Sequence, residues 1–267
     1  MQEFYNCNDW ELAQDEEIEN FVTYLFREKR QTVNTIRSTL SAIAFHLKGK
    51  KKQDFTKNFV IEKLLHKYAK LSKSTRTRDP IQKPLLNRLL QFVSRNYSDE
   101  YNKHAYFVLY ALMYKMALRI SEIIDYRPQK FSHAILKENF HLKRNKSVQI
   151  TLDSFKHSKE PAVYLLRCNN TLWRHILKFL ALRGEGGGPL FIDHKGVPFK
   201  RAAVVKALKS DLASIGEKPE NFNSHSFRKG KTTDLYLQKA TTEEIKTIGR
   251  WSTNAHQKYI DPKIIVV

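Results

Sequence analysis

The sequence predicts a mainly α-helical chain with a small antiparallel β-sheet, an α+β fold in two domains. Three observations predict it. Most of the 267 residues fall in segments whose apolar positions recur every three or four residues, the period of an amphipathic helix. Between 134 and 166 the period changes: Val148, Ile150 and Leu152 alternate, and Ala162-Val-Tyr-Leu-Leu166 follows, the pattern of short strands. Ser72 to Pro80, SKSTRTRDP, has no apolar period and is rich in Lys, Arg, Ser and Thr, as a linker is. The expected division is a helical domain at 1–72, a linker at 73–81 and a second domain at 82–267.

Composition narrows the class of protein. Apolar residues make up 41%, enough for packed cores. No run of about 18 apolar residues occurs, so no membrane span is expected. The opening MQEFYNCNDWELAQDEE is acidic and lacks a basic-then-apolar pattern, so no signal peptide is expected. The two cysteines, Cys7 and Cys168, lie far apart without metal spacing and read as reduced thiols of a cytosolic or nuclear protein. The net charge of +20 points to a polyanionic partner. That charge is uneven: residues 1–28 carry eight acids and one base, residues 29–80 fourteen bases and three acids. The remainder is basic again, so basic surface on both halves suits a protein that closes around a nucleic-acid duplex.

The elements follow in order. Residues 15–29 place Ile18, Phe21, Val22, Leu25 and Phe26 on one helical stripe. Residues 32–47 bury Val33, Ile36, Leu40, Ile43, Ala44 and Leu47. Their opposite face carries Asn34, Arg37, Ser38 and Ser41, a small polar surface suited to phosphate contact. Lys50 and Lys51 lie in the basic loop that follows, and Arg76 and Arg78 in the linker, where they can track a duplex. A third helix over 57–72 is expected to turn Phe59, Leu64, Leu65, Tyr68 and Leu71 inward. Pro84 opens the next helix, a favoured first-turn place for proline. Tyr101 to Leu118 is so apolar that it reads as the central helix of the second domain, with Tyr106, Tyr110 and Tyr114 in its core. Helices are expected at 170–182 and at 200–214. The latter packs Ala203, Val204, Ala207, Leu208 and Leu212 inward and turns Arg201, Lys206 and Lys209 outward. Gly184–Gly188 is a loop and not a phosphate cradle, because no Lys-Ser/Thr follows it. No GxGxxG, HExxH, CxxC or DxDxDG motif appears, so no metal and no nucleotide cofactor is expected.

The chemistry is concentrated near the end. His225-Ser-Phe-Arg228 is followed by Gly249-Arg250-Trp251 and then by Tyr259, thirty-one residues after Arg228. Breaking a phosphodiester without a metal needs cations on a developing phosphorane and a nucleophile in line with it. Arginine grips two phosphate oxygens through its planar fork. Tyrosine can attack once its proton, with an ordinary pKa of about 10, is removed.

This ordered set, H-x-x-R, then G-[HR], then Y, resembles the second box and nucleophile helix of the tyrosine recombinases, or phage integrase family. Ala117-Leu-Arg119-Ile-Ser-Glu122-Ile resembles the family's first box, G-x-R-[IV]-S-E-[LI], with alanine where glycine is usual. Phe155-Lys156-His157-Ser158-Lys159-Glu160 resembles the hairpin K-x-x-K-E-R, with Pro161 in place of arginine. That alignment selects Lys156, with Lys159 as the alternative. Thr35–Ile43 resembles the SAM-like core-binding domain. The resemblance therefore spans about residues 15–262 and implies a core-binding domain followed by a tyrosine-recombinase catalytic domain. Most members have histidine where Arg250 stands. The Arg-Trp pair resembles that of eukaryotic mobile-element recombinases, such as the DIRS type, and of some phage integrases, and arginine there cannot shuttle a proton near neutral pH.

The resemblance implies a site-specific recombinase, integrating or excising a mobile element, that works as a homotetramer on two double-stranded DNA duplexes without a cofactor. Arg119 and Arg228 would clamp the scissile phosphate and His225 would hydrogen-bond it or help deprotonate the tyrosine. Tyr259 would form a 3′-phosphotyrosyl bond and Lys156 would protonate the leaving 5′-oxygen. Arg250 completes the set. Two alternatives share the fold: a catalytically silent DNA-binding protein and a type IB topoisomerase-like relaxase. The compartment implied is the cytoplasm for a prokaryotic or bacterial-virus protein and the nucleus for a eukaryotic one.

Overall fold

Residues 15–72, 78–124, 134–153 and 161–260 are described in a computed structural model. They fall into two units, Met1–Arg76 and Thr77–Val267, and the break lies inside the basic linker segment.

The first unit is built on α1 (Asp15–Arg27), α2 (Val33–Gly49) and α3 (Phe59–Leu71). Thr32 caps α2 by accepting from the Thr35 N–H, and Asn58 caps α3 by accepting from the Ile61 N–H. All six apolar residues expected on the inner face of α2 are buried. Phe26 stacks on Tyr68 with centroids 4.0 Å apart, and the Tyr68 hydroxyl donates to Thr23 Oγ1 at 3.0 Å. On α3 the expectation needs correction: Phe59 is 74% exposed and Leu71 64% exposed. The buried stripe runs instead through Ile61, Leu65 and Tyr68, one row at helical spacing, and Phe59 lies on the opposite side of that row.

The second unit starts with α4 (Lys83–Asn96), with Pro84 in its first turn, followed by α5 (Glu100–Lys115) and the four-residue α6 (Ser121–Ile124). Strands β1 (Phe140–Lys143), β2 (Ser147–Leu152) and β3 (Ala162–Arg167) form an antiparallel sheet in the order β1-β2-β3. Ile150 pairs with Phe140 on one side and Tyr164 on the other, which puts Val148, Ile150 and Leu152 on the buried face. Then come α7 (Asn170–Arg183), α8 (Arg201–Ser214), α9 (His225–Leu237), α10 (Thr242–Gly249) and a 3-10 turn at Asn254–Tyr259.

Helix α5 is the hub. It is buried from Ala105 through Tyr114 apart from Tyr106, which is half-buried, and it packs against α4, α7 and α9. The glycine-rich loop after α7 wraps around the Arg183 guanidinium, which donates to the Gly187 and Pro189 carbonyls at 3.1 and 2.7 Å. On α8, Val204, Leu208 and Leu212 are buried, whereas Ala203, expected inside, is exposed. A polar residue takes part in that interface instead: buried Asp211 accepts from the hydroxyls of Tyr97 and Tyr110. Among the described residues no helix is long and apolar enough to cross a membrane.

Candidate active site

Three chain turns deliver the site. The first follows α5. Ala117 has φ 46°, in the left-handed region, and this bend brings Arg119 and α6 back beside the end of α5. A Cβ is unfavourable there, which accounts physically for glycine being usual at this place in the motif. The second is the start of α9, which carries His225 and, one turn on, Arg228. The third is the end of α10. Its N-terminus is fixed by a capping box between Thr241 and Glu244, and its last residue, Gly249, leads into Arg250 at φ 56°, ψ 47°.

These turns converge on one carboxylate and one carbonyl. Glu122 is 2% exposed and accepts from Arg119 Nη1 at 2.6 Å, from the Arg119 N–H at 2.7 Å and from Arg250 Nη2 at 2.7 Å. The Ala117 carbonyl accepts from Arg228 Nη1 at 2.6 Å and from Arg250 Nη2 at 3.1 Å. Arg250 also reaches the Met116 and Ile248 carbonyls, and Arg228 reaches the Gly249 carbonyl. The Nε atoms of Arg228 and Arg250 are buried and have no partner among the described residues. Two guanidinium groups thus share the Glu122 carboxylate while the third, that of Arg228, is held by carbonyls alone, an excess of buried positive charge that favours an anion.

Electrostatics follow from this crowding. Burial pushes the Glu122 carboxyl up, but the Arg250 guanidinium, the Arg119 N–H and the other arginines outweigh it and hold the group below its usual range. Burial and the neighbouring Arg119 and Arg250 push the Arg228 pKa down. His225 is also pushed down, first by burial and then by Arg201, Arg228 and Arg119, so its ring is neutral at pH 7.

Tyr259 ends the 3-10 turn. Its carbonyl accepts from Thr233 Oγ1 on α9 at 3.3 Å. Its ring centroid lies 5.2 Å from that of Trp251, and the Arg228 Cζ lies 4.1 Å over the Trp251 ring and 5.3 Å over the Tyr259 ring. Trp251, Tyr259 and the Arg228 guanidinium therefore pack against one another as a trio. Gly249 makes room for it, since a Cβ at 249 would overlap the indole. Tyr259, His225, Lys229, Lys258 and Arg78 line an open groove of about 460 Å³.

Of the sequence-predicted residues, Arg119, His225, Arg228, Arg250 and Tyr259 come together here from positions up to 140 residues apart. Lys156, its alternative Lys159 and Arg76 lie outside the described residues. Arg78, expected to face DNA from the linker, donates to the Glu220 carbonyl and lines the Tyr259 groove. In the first unit Asn34, Arg37, Ser38, Ser41, Lys50 and Lys51 are exposed, although Ser38 and Ser41 donate their hydroxyls to the Asn34 and Arg37 carbonyls. The sequence motif includes Glu122 beside Arg119 but gives no sign of its bond to Arg250, nor of Lys229 as a groove residue. Only the spacing of Lys229, next to Arg228, could have signalled it. Among the described residues no cluster of His, Cys, Asp and Glu suited to a metal occurs.

The family model for the phage integrase family matches residues 81–263. The chain belongs to the phage integrase family. It is accordingly a tyrosine-type recombinase, an enzyme of site-specific DNA recombination. Among solved structures, this integrase-family chain is similar to the Tn1549 transposon integrase in complex with circular intermediate DNA, at 13% identity and TM-score 0.65, covering 93% of this chain and 81% of that one. It is similar to the XerH site-specific recombinase bound to palindromic difH substrate in a post-cleavage complex, at 14% identity and TM-score 0.70, covering 97% and 72%. The XerA recombinase follows at 12% identity and TM-score 0.54, covering 97% and 82%. At these identities the likeness is one of fold. No match was found among curated proteins.

Proposed function

We propose that this recombinase cuts DNA with Tyr259 as the nucleophile and the Arg119–Arg228–Arg250 cluster as the phosphate site. The observation that carries the reading is the gathering of three arginine side chains at one turn, Arg119 and Arg250 on the Glu122 carboxylate and Arg228 and Arg250 on the Ala117 carbonyl, with Tyr259 against Arg228 and Trp251. Arginine donors held around a developing phosphorane stabilise its charge without reorganising at the moment of reaction. The Tyr259 oxygen attacks phosphorus, the bond from phosphorus to the 5′-oxygen breaks, and a 3′-phosphotyrosyl ester and a free 5′-hydroxyl result. Neutral His225 takes or shares the phenolic proton, and Lys156 returns a proton to the leaving 5′-oxygen. A 5′-hydroxyl of a second duplex reverses the step, so the bond energy is kept in the ester.

Arg250 acts by charge and donation alone, since a guanidinium does not exchange protons near pH 7. The exposed face of α2, with Asn34, Arg37, Ser38 and Ser41, and the basic loop at Lys50 and Lys51 contact the duplex backbone. Arg76 and Arg78 extend those contacts along the linker. The working assembly is a homotetramer on two duplexes. A supercoiled plasmid carrying two copies of the target site tests the reading: recombinant circles support it. Relaxation alone favours a topoisomerase-like enzyme, and a mobility shift with neither product favours a silent DNA-binding protein.

A further inference from the structure

The stretch that leads into the second unit is tied down along its length to α9 and the turn before it. Arg78 donates to the Glu220 carbonyl, and the Asp79 N–H donates to the Asn221 carbonyl at 2.8 Å. The N–H of fully buried Ile81 donates to the Ser226 carbonyl at 2.9 Å, between His225 and Arg228. Gln82 Nε2 and the Lys83 N–H donate to the two carboxylate oxygens of Asp234, at 3.0 and 2.7 Å. Lys229 Nζ donates back to the Arg78 carbonyl at 2.9 Å. The fit is close: a Cβ on Gly230 would overlap the Ile81 carbonyl. Asp234 also accepts from the Tyr114 hydroxyl on α5, the helix that leads to the Ala117 carbonyl holding Arg228 and Arg250. One buried carboxylate thus fixes the entering segment, α9 and α5 to each other.

We propose that Arg78–Lys83 is a positioning strap, which through Asp234 and Gly230 sets where α9 holds His225 and Arg228 relative to Tyr259. Asp234 and Gly230 are positioning residues; neither lines the Tyr259 groove. The proposal rests on the reading of Tyr259 as nucleophile. Reacting groups misplaced by about 1 Å lose on the order of 100-fold in rate even when the change lies away from the chemistry. Loosening the strap lets α9 shift by such amounts while the exposed face of α2 and the basic loop at Lys50 and Lys51 are untouched, so cleavage falls far more than affinity does.

The test uses the full chain with Gln82→Ala, Asp234→Asn and Gly230→Ala. Covalent adduct formation is timed on a nicked duplex under single turnover at saturating protein, and affinity for the same duplex is read by mobility shift. The expected result is cleavage slowed about 10- to 100-fold in Asp234→Asn and Gly230→Ala, less in Gln82→Ala, with Kd within about threefold of the parent. Asp234→Glu, which restores the carboxylate, should recover part of the rate. The two side-chain variants decide the matter whether or not Gly230→Ala folds. Unchanged cleavage in folded Asp234→Asn, or a fall in cleavage matched by a fall in affinity, overturns the strap. A parent protein that forms no adduct overturns instead the nucleophile reading beneath it.

Discussion

At the scale of single residues, Glu122 decides whether the arginine cluster can exist. It is buried between Arg119 and Arg250 and is the one carboxylate bonded to them among the described residues. Removing one partner of a buried charge set costs roughly 3–5 kcal/mol, because the remaining charge is left uncompensated. Glu122→Gln should therefore lower stability by several kcal/mol at neutral pH. Because the folded carboxyl lies below the ordinary 4.5, its contribution is fully present above that value and is lost as pH falls through the folded value. Melting temperatures followed from pH 7 downward should fall less steeply in Glu122→Gln than in the parent; equal slopes would show that Glu122 is not the titrating link. Ala117 makes the opposite case. Its left-handed φ of 46° costs an alanine about 1–2 kcal/mol, partly offset in a glycine variant by about 0.4–1 kcal/mol of unfolded-state entropy. Ala117→Gly should gain about 0.5–1 kcal/mol, read as a higher melting temperature. A lower one would mean that the strain is relieved elsewhere.

At the scale of elements, α5 and α7 are joined by a buried histidine pair. His104 Nδ1 and His175 Nδ1 lie 2.8 Å apart, Phe107 stacks on His175 at 3.6 Å, and Ser94 Oγ lies 3.4 Å from His175 Nε2. One Nδ1 must donate and the other accept, so the bond is lost once both rings are protonated. Burial, the His104 ring and the nearby Arg174, Lys178 and Lys103 push His175 down to about 4 from 6.5. Burial also lowers His104, against the pull of Glu100. A base with a depressed folded pKa stabilises the fold above the unfolded value, so this contribution fades as pH drops from about 6.5 toward 4. His175→Gln should flatten that part of the stability curve; an unchanged curve would exclude the pair as the acid-sensitive joint.

The same scale shows how far the sequence could be read. Every inward residue of α2 was legible because its apolar residues keep one period through more than four turns. Phe59, Leu71 and Ala203 were misplaced because an apolar residue at a helix end or beside a small residue says little about phase; only the row through Ile61, Leu65 and Tyr68 settles it. Strand β1 carried too short a pattern to be separated from the rest of the sheet. In the site, the family motifs located Arg119, His225, Arg228, Arg250 and Tyr259. The second bond of Glu122 and the role of Asp234 depend on contacts between residues more than a hundred positions apart, which no local pattern encodes.

At the scale of the whole molecule, the charge of +20 sets the partner and the most direct test sits at one oxygen atom. If six or more phosphates are contacted, affinity for duplex DNA should fall about 10³-fold or more between 50 and 200 mM salt. A flat response would remove the backbone-clamp account. A tetramer on two duplexes should bind a paired site cooperatively, whereas independent filling of the half-sites would exclude protomer contact on DNA. The decisive measurement is covalent trapping on a nicked suicide duplex by the parent and by Tyr259→Phe. The substitution removes one hydroxyl from a ring whose contacts are with Trp251 and Arg228, so folding and DNA affinity should stay close to the parent. The parent should yield a protein–DNA adduct that protease reduces to a tyrosyl-linked 3′-phosphate, and Tyr259→Phe should yield none. An adduct of equal yield from Tyr259→Phe would show that another residue attacks the phosphate and would contradict the assignment of this site.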